Sequence, residues 1–336
     1  MPAFRSLCLL LSALLLAPLT WAADSDSGMT AEEWLRKLGP ALNTTSYRGV
    51  FVYTRGDQVN AMQIVHRYRN GEVEERLVPQ DGESGEILRK GNRVTCILPD
   101  HGRFHLDAVI PSGPFAEAFA SQFVPVSRWY QATLLEPGRV AGHQAAVVEL
   151  NARDAHRYSY RIWLEKNTGL LIKSDVREGD DGRVLERFQF TSLEITNDLH
   201  DNEFEIQGNG KTVEHTLGGG PWSSSTRHLE GWRLGWRPDG FMPAATPRTR
   251  ASGQAVAFSD GLASFSVFVE AFSGTEMPTG ASRIGATTAY MRMGQVDTQR
   301  YLVTVVGEIP PATARKVADS VEVIDALKLF GRDRHD

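Results

Sequence analysis

The sequence predicts a mainly β protein of the α+β class, with a long antiparallel meander, a second and smaller antiparallel sheet, and few helices. Three observations support this prediction. Apolar and polar side chains alternate over many short stretches, which is the period of a β-strand. Turn-forming pairs such as Asn-Gly and Asp-Gly separate these stretches. A polar segment rich in glycine and serine, residues 207–228, divides the pattern into two parts.

The first part opens with one predicted helix and then changes to strands. Thr30-Ala31-Glu32-Glu33 is a capping box, and apolar residues follow on one helical face at Trp34, Leu35, Leu38 and Leu42. Gly39-Pro40 is expected to kink or end this helix. From Tyr47 the period becomes two, and Asn70-Gly71 predicts a hairpin between the second and third strands. Further strands are predicted from Trp129 to Leu135, Ala145 to Leu150 and Val184 to Ile195.

The stretch RYSYRIWLEKNTGLLIKSD, from Arg157 to Asp175, predicts a hairpin that turns at residues 166–169. One side of its first strand is apolar, and we call its four residues the tyrosine face: Tyr158, Tyr160, Ile162 and Leu164. Arg157, Ser159, Arg161 and Glu165 are expected on the polar side. Trp163 also falls on that side, either as an anchor within the sheet or as a partner contact, and packing is the favoured interpretation.

A second apolar surface is predicted between Pro114 and Phe123. Phe115, Phe119 and Phe123 are spaced by four, which places them in a stripe on a short helix. A curved sheet wrapped over such a helix can leave an apolar cavity. The candidate ligand-binding residues are therefore this stripe together with the tyrosine face. From the pattern alone, a filled core is the favoured alternative.

The second part predicts a small antiparallel sheet with a terminal helix. Its strands are expected at Ala255 to Phe258, Ala263 to Phe272 and Arg300 to Val306. Pro310-Pro311 opens the helix, because proline fits a first helical turn. The predicted segments are a signal peptide (1–22), a first domain (23–206), a flexible linker (207–228), a second domain (229–326) and a tail (327–336).

The first residues predict export. Arg5 precedes an apolar core from Leu7 to Leu16. Thr20-Trp21-Ala22 then places small residues at both key positions of a cleavage site, which is typical of a signal peptide. No later stretch has the roughly 18 apolar residues of a spanning helix. Removal of the signal leaves Cys96 as the one cysteine, so it cannot form an intrachain disulfide and is expected to be a buried small side chain. The net charge of −5 does not favour a nucleic-acid binder.

The usual catalytic and metal-binding motifs are absent from the sequence. It contains no H-E-x-x-H, C-x-x-C, G-x-S-x-G or phosphate-loop pattern. His101 and His105 flank a glycine, so helical metal-ligand spacing is not favoured. Asp180-Asp181-Gly182 reads as a turn rather than a calcium loop. A binding protein is therefore favoured over an enzyme, with no metal and no cofactor.

Several long motifs give the chain a resemblance to a known family. They are RYSYRIWLEKNTGLLIKSDV with DGRVLERFQF, WRPDGF (Trp236 to Phe241), SDGLASFSVFVE (Ser259 to Glu270) and VVGEIPPATARKVADSV (Val305 to Val321). With these motifs the chain resembles the MucB/RseB family of periplasmic regulators of the envelope-stress sigma factor. The resemblance spans nearly the whole mature chain.

The resemblance implies a fold and a function. The first domain is expected to be an open, curved antiparallel β half-barrel with docked helices, similar to LolA/LolB lipoprotein carriers. The protein is expected to bind the periplasmic segment of a transmembrane anti-sigma factor, which attaches it peripherally to the inner membrane, and to shield that segment from regulated proteolysis. A lipid or lipopolysaccharide-like amphiphile is expected to release it. A carrier of lipoproteins or lipids is the alternative, and a homo-oligomer is left open.

Overall fold

The computed structural model describes residues 28–81, 85–91, 93–98, 128–179, 182–208, 210–216, 231–243, 248–250, 253–274 and 279–330. Outside these ranges lie the predicted signal peptide, most of the predicted linker, Asp180-Asp181, His101, His105 and the stripe of Phe115, Phe119 and Phe123. Within them the chain forms two antiparallel sheets, a separate pair of short strands, three α-helices and one 3₁₀ helix.

The first sheet is open and contains eleven strands. They are β1 (Tyr47–Arg55), β2 (Gln58–Arg69), β3 (Glu72–Pro79), β4 (Glu86–Lys90), β5 (Arg93–Leu98), β6 (Tyr130–Val140), β7 (His143–Ala152), β8 (Ser159–Glu165), β9 (Leu171–Glu178), β10 (Arg183–Ile195) and β11 (Lys211–Thr216). Their order in space is β11-β5-β4-β3-β2-β1-β10-β9-β8-β7-β6, so β11 and β6 form the two edges.

The register of this sheet aligns apolar side chains into rows on its inner face. One row crosses five neighbouring strands and consists of Gly49, Ile64, Leu77, Ile87 and Cys96. Cys96 is fully buried, as the sequence predicted. Because side chains alternate in a strand, a one-residue slip would turn this whole row outward, which fixes the register.

The predicted capping box begins α1 (Ala31–Thr44), in which the Glu33 backbone N–H donates to the Thr30 hydroxyl at 3.3 Å. The helix does not end at Gly39-Pro40 but continues to Thr44. In its last turn the Asn43 amide donates to the Gly39 carbonyl and the Thr44 hydroxyl to the Pro40 carbonyl. Burial of the helix's apolar face on the sheet outweighs the hydrogen bond that proline cannot make.

The end of the first sheet differs from the prediction. A 3₁₀ helix (Asp201–Phe204) packs Phe204 onto the outer face with Val65 and Leu88. The chain then returns to the sheet, where β11 pairs with β5 along its length. These six residues lie inside the segment that the sequence assigned to a flexible linker. Backbone pairing with an existing edge orders them although they carry little apolar area.

The second sheet contains seven strands. They are β13 (Met242–Pro243), β14 (Arg248–Arg250), β15 (Gly253–Ser259), β16 (Ser264–Ala271), β17 (Gly280–Ile284), β18 (Thr287–Val296) and β19 (Gln299–Gly307). The order is β13-β15-β16-β19-β18-β17, with β14 also on β15. A separate pair joins β12 (Trp232–Leu234) to β20 (Val321–Val323).

Two helices complete the second domain. In α2 (Pro311–Asp319) the residues Ala314, Val317 and Ala318 are buried in the second core. The last helix, α3 (Ala326–Phe330), enters the predicted tail because Leu329 is buried in the same core. The predicted fold class is confirmed: an open antiparallel sheet with a docked helix, and a smaller antiparallel sheet with a terminal helix. No helix in the described ranges is both long and apolar enough to span a membrane.

Candidate functional site

The tyrosine face is buried at the place where the two domains meet. Its four residues are at most 2% exposed. The apolar side of α1 covers part of it, through Trp34, Leu35 and Leu38. Leu262 and Ala286, from two turns of the second domain, belong to the same buried cluster. The structure therefore brings the four predicted residues together under both α1 and the second domain, and their role in ligand binding stays a prediction.

The outer side of the hairpin carries Trp163, which packs within its own sheet. The Lys173 ammonium lies 4.3 Å from the Trp163 ring centroid. A Cβ atom at Gly138 would lie only 3.0 Å from the ring, so the strand and the indole are in close contact. These contacts fit the packing interpretation better than a free partner-binding side chain.

The turn of the hairpin is held by a buried carboxylate. Gly169 adopts a φ of +80°, as the predicted turn requires. Glu165 accepts hydrogen bonds from the backbone N–H groups of Asn167 and Thr168 at 3.0 and 2.8 Å. The alternation of the strand had placed Glu165 on the polar side. It is instead 3% exposed, because its carboxylate oxygens accept hydrogen bonds within the turn.

Arg157 is the second residue of the hairpin that the alternation misplaced. Its side chain is fully buried and joins the two domains. It donates from Nη1 to the Asp260 carboxylate at 2.5 Å and from Nη2 to the Asp239 carbonyl at 2.6 Å. Within its own domain it pairs with Asp154 at 2.9 Å. We call Arg157, Asp154, Asp239, Asp260 and Tyr130 the Arg157 cluster.

Asp260 has its hydrogen-bonding capacity well satisfied in this cluster. It accepts from Arg157, from the Tyr130 hydroxyl at 3.0 Å, and from the backbone N–H groups of Leu262 and Ala263 at 2.9 and 2.8 Å. Burial raises the pKa of Asp260, and the Arg157 guanidinium and these donors oppose that rise. Burial also raises the pKa of Tyr130, as does the neighbouring Asp260 charge. The Asp260 turn is thus tied to the first domain by charge and hydrogen bonds.

A second polar contact joins the domains near Ala286. Glu186, on β10, accepts a hydrogen bond from the Ala286 backbone N–H at 2.9 Å and another from the Tyr53 hydroxyl. Glu308, at the end of β19, is 5% exposed and its Oε2 has no hydrogen-bond partner in the described part of the chain. We call Glu186 and Glu308 the carboxyl pair. Burial raises both pKa values, and the Glu186 charge raises that of Glu308 further.

A cleft of about 690 Å³ opens beside the Arg157 cluster. Arg128 and Trp129 line it from the first domain, and residues 234–242 line it from the second. Gly240 has a φ of +88°, and a Cβ atom there would lie 2.2 Å from Trp129 Cε2. The two domains therefore touch without space for a side chain. We call this feature the composite cleft. The sequence did not identify it, because its lining comes from irregular segments without periodicity.

The described residues contain no assembled metal-ligand group. No group of three or more His, Cys, Asp or Glu side chains in these ranges is placed to hold a metal ion. Burial raises the pKa of the Cys96 thiol, which disfavours the reactive thiolate. What the geometry offers is apolar and polar contact surface between two domains, as in a binding protein.

Comparisons with known proteins agree with this class. A family model for the MucB/RseB N-terminal domain matches residues 30–207, and one for the MucB/RseB C-terminal domain matches residues 226–322. The sigma factor AlgU regulatory protein MucB of Pseudomonas aeruginosa is 34% identical over 94% of this chain and 96% of its own length. The sigma-E factor regulatory protein RseB of Escherichia coli K12 is 24% identical over 90% of this chain and 94% of its own length.

Solved structures show the same likeness. The crystal structure of MucB in complex with MucA(peri) aligns with a TM-score of 0.68 at 29% identity, over 87% of this chain and 98% of that chain. MucB alone aligns with a TM-score of 0.60 at 30% identity, over the same shares. Fold and interface define a protein of two antiparallel β-sheet domains in contact with each other. The chain belongs to the MucB/RseB family, whose curated relatives are named as sigma factor regulatory proteins.

Proposed function

We propose that this chain is a periplasmic regulatory protein that binds the periplasmic segment of a transmembrane anti-sigma factor and shields it from regulated proteolysis. The observation that supports this most strongly is the likeness, over both domains, to MucB solved with MucA(peri). The predicted signal peptide supports the periplasm as the compartment. Its attachment to the inner membrane would be peripheral, through the bound partner, and self-association into a homo-oligomer is left to measurement.

We further propose that a lipid or lipopolysaccharide-like amphiphile releases the partner. A ligand shifts an equilibrium only by binding one arrangement more tightly than the other. Leu262 and Ala286 of the second domain close over the tyrosine face. An acyl chain that inserts against this face displaces the second domain, so its binding favours the open arrangement. Phe115, Phe119 and Phe123 remain the other predicted wall of that site.

A carrier of lipoproteins or lipids is the second candidate function, favoured by the open sheet with one apolar face. The structure gives a reason to prefer regulation. A carrier needs access to its apolar face, whereas here the second domain is tied over that face by the Arg157 cluster. Pull-down from envelope extract separates the two candidates, because a carrier retains a broad set of lipoproteins.

The test uses the full mature chain and the periplasmic segment of the anti-sigma factor from the same bacterium. We expect a saturable complex by fluorescence anisotropy, protection of the segment from its protease, and loss of both on adding lipopolysaccharide. Failure to bind the segment would reject the regulatory function. Binding that persists at saturating lipopolysaccharide, and in phospholipid micelles, would reject release by an amphiphile while leaving partner binding in place.

One substitution separates the two activities. Phe119→Asp places a charge on the predicted apolar stripe, which is costly on a dry surface. We expect it to weaken amphiphile binding and to leave partner binding within a few-fold, so the partner stays protected when amphiphile is added. A circular-dichroism melt must show a folded variant. Normal release from a folded Phe119→Asp protein would show that the stripe is ordinary core.

A further inference from the structure

The composite cleft carries exposed arginine side chains on its lining. Arg128 and Arg237 line it and are exposed, and neither makes an ion pair with any described residue. Lys316 lies outside the lining, but its ammonium is 3.9 Å from the Trp236 ring centroid and it makes no ion pair with a described residue. The lining contributes one carboxylate, Asp239. The cleft therefore carries an excess of positive charge.

A second concavity shows the contrast. It has a volume of about 460 Å³ and lies on the outer face of the first sheet. There Arg76 is paired with Glu86 at 2.9 Å, and both side chains are nearly buried. The arginine of that concavity is therefore paired within the protein. The two arginines of the composite cleft have no ion-pair partner among the described residues, so they are available to a ligand.

The cleft also offers apolar area beside these cations. Trp129 and Trp236 are half-buried, so part of each indole faces solvent, and Met242 is 57% exposed. Tryptophan, methionine and arginine are among the residue types enriched at protein interfaces. A complementary ligand has carboxylates to meet Arg128 and Arg237 and apolar side chains to cover the indoles.

The floor of the cleft favours a peptide over a lipid. Phe241 closes it and is fully buried. Beneath the floor, the Arg157 guanidinium carbon lies 5.1 Å from the Phe241 ring centroid and 5.3 Å from that of Trp129. An acyl chain directed inward would have to displace the buried Phe241 ring and disturb the ion-paired Arg157 cluster beneath it. A peptide that lies along the surface meets only the aromatic faces and the exposed cations.

We propose that the composite cleft is the docking surface for an acidic segment with apolar side chains in the periplasmic part of the anti-sigma factor. This inference rests on the proposed function and names the surface through which it operates. The cleft needs Trp129 from one domain and Gly240 from the other, so it exists only while the domains are in contact. Separation of the domains by an amphiphile at the tyrosine face would disassemble the docking surface, which couples the two sites.

The test is charge reversal, with the labelled periplasmic segment of the cognate anti-sigma factor as the probe. We expect Arg128→Glu and Arg237→Glu each to weaken binding about fivefold, and the double variant by more than tenfold. Because these contacts are exposed, wild-type affinity should fall with added salt and the double variant should lose much of that dependence. Unchanged melting curves must accompany the loss.

A matched control is Arg139→Glu, at the far end of β6 from the cleft. Like Arg237, Arg139 is exposed and donates from Nε to a nearby backbone carbonyl. The Arg139→Glu variant should bind the probe as the wild type does. Equal binding by the cleft variants and the wild type would overturn the cleft assignment and leave the proposed function intact. A wild type that does not bind the probe would overturn both. Variants that lose only phosphatidylglycerol-vesicle binding would assign the cleft to lipid and overturn the peptide.

Discussion

The two polar contacts between the domains differ in how buried charge is compensated. In the Arg157 cluster, Asp260 accepts four hydrogen bonds and its guanidinium partner is fully buried. At the carboxyl pair, Glu308 has an unpartnered Oε2, and the nearby Arg55 has an unpartnered Nε, within the described part of the chain. At the Arg157 cluster the buried charges are paired, whereas the carboxyl pair brings two acidic groups together.

This difference indicates different roles for the two ends. A satisfied buried network has few alternative geometries, so the Arg157 cluster fixes how the second domain sits on the first. Two buried carboxyls cannot both ionise without repulsion, so we expect domain contact at the carboxyl pair to depend on pH. We expect the interface to be rigid beside the composite cleft and adjustable near Ala286.

The largest effect is expected from breaking the Arg157 cluster. Asp260→Asn keeps the shape of the turn but leaves Arg157 with Asp154 as its one carboxylate partner among the described residues. Removal of one partner from a buried ion pair costs about 3–5 kcal/mol, and the remaining Asp154 puts our expectation near 3 kcal/mol. Urea unfolding measures the loss. Small-angle X-ray scattering should also show a more extended particle.

The control for Asp260→Asn is Glu322→Gln. Glu322 pairs with Arg233 at 2.5 Å, but both side chains are exposed. Removal of an exposed pair should cost about 0.5 kcal/mol. A similar small cost for Asp260→Asn would mean that the buried cluster contributes no more than a surface pair, which contradicts the comparison drawn above.

A smaller effect is expected from separating the domains at the cleft. Gly240→Ala places a Cβ atom 2.2 Å from Trp129 Cε2 at a φ of +88°. Gly142→Ala is the matched control, because Gly142 has a φ of +86° and no atom within 4 Å of the added carbon. Both variants carry the backbone strain, so their difference isolates the contact between domains. We expect Gly240→Ala to be less stable than Gly142→Ala by about 1–3 kcal/mol in urea unfolding. Equal stabilities would show that Trp129 moves aside freely.

The architecture could be predicted from the sequence where one face of a helix or strand is buried and the opposite face is exposed to solvent. The tyrosine face and the capping box of α1 follow from such local patterns. The strands β17 and β18 escaped prediction because Thr288 is their one fully buried residue, so they carry no apolar alternation.

The contacts between the domains could not be predicted, because they depend on pairs that are distant along the chain. Arg157 falls at a polar position of the predicted strand, two residues before β8, and its partner Asp260 is 103 residues away in a turn with no distinctive sequence pattern. The alternation along a strand predicts that a charged side chain faces away from the apolar side, but it does not predict that another domain covers that side chain. The composite cleft could not be predicted for the same reason, since its residues come from two segments and neither has a distinctive sequence pattern.

The smallest effect is expected from relieving the carboxyl pair, and it depends on pH. Burial, together with the Glu186 charge, raises the pKa of Glu308 well above its ordinary value of 4.5, and Arg55 opposes this only in part. The folded protein then retains a proton that the unfolded chain releases above that value. Stability is therefore fully present below about pH 4.5 and is lost as the pH rises through the folded-state pKa.

Glu308→Gln removes the titration and keeps a neutral side chain of the same shape. We expect the variant to be more stable than the wild type at pH 8, where the buried Glu308 carboxyl opposes folding, and nearly equal to it at pH 5. Urea unfolding at pH 5, 6.5 and 8 measures how the stability of each protein depends on pH. The variant should keep some pH dependence, because the pKa of Glu186 is also raised. Glu205→Gln, at an exposed position, should follow the wild type. If Glu308→Gln followed the wild type as well, the carboxyl pair would not titrate on folding, and buried charge would be compensated at both ends of the interface.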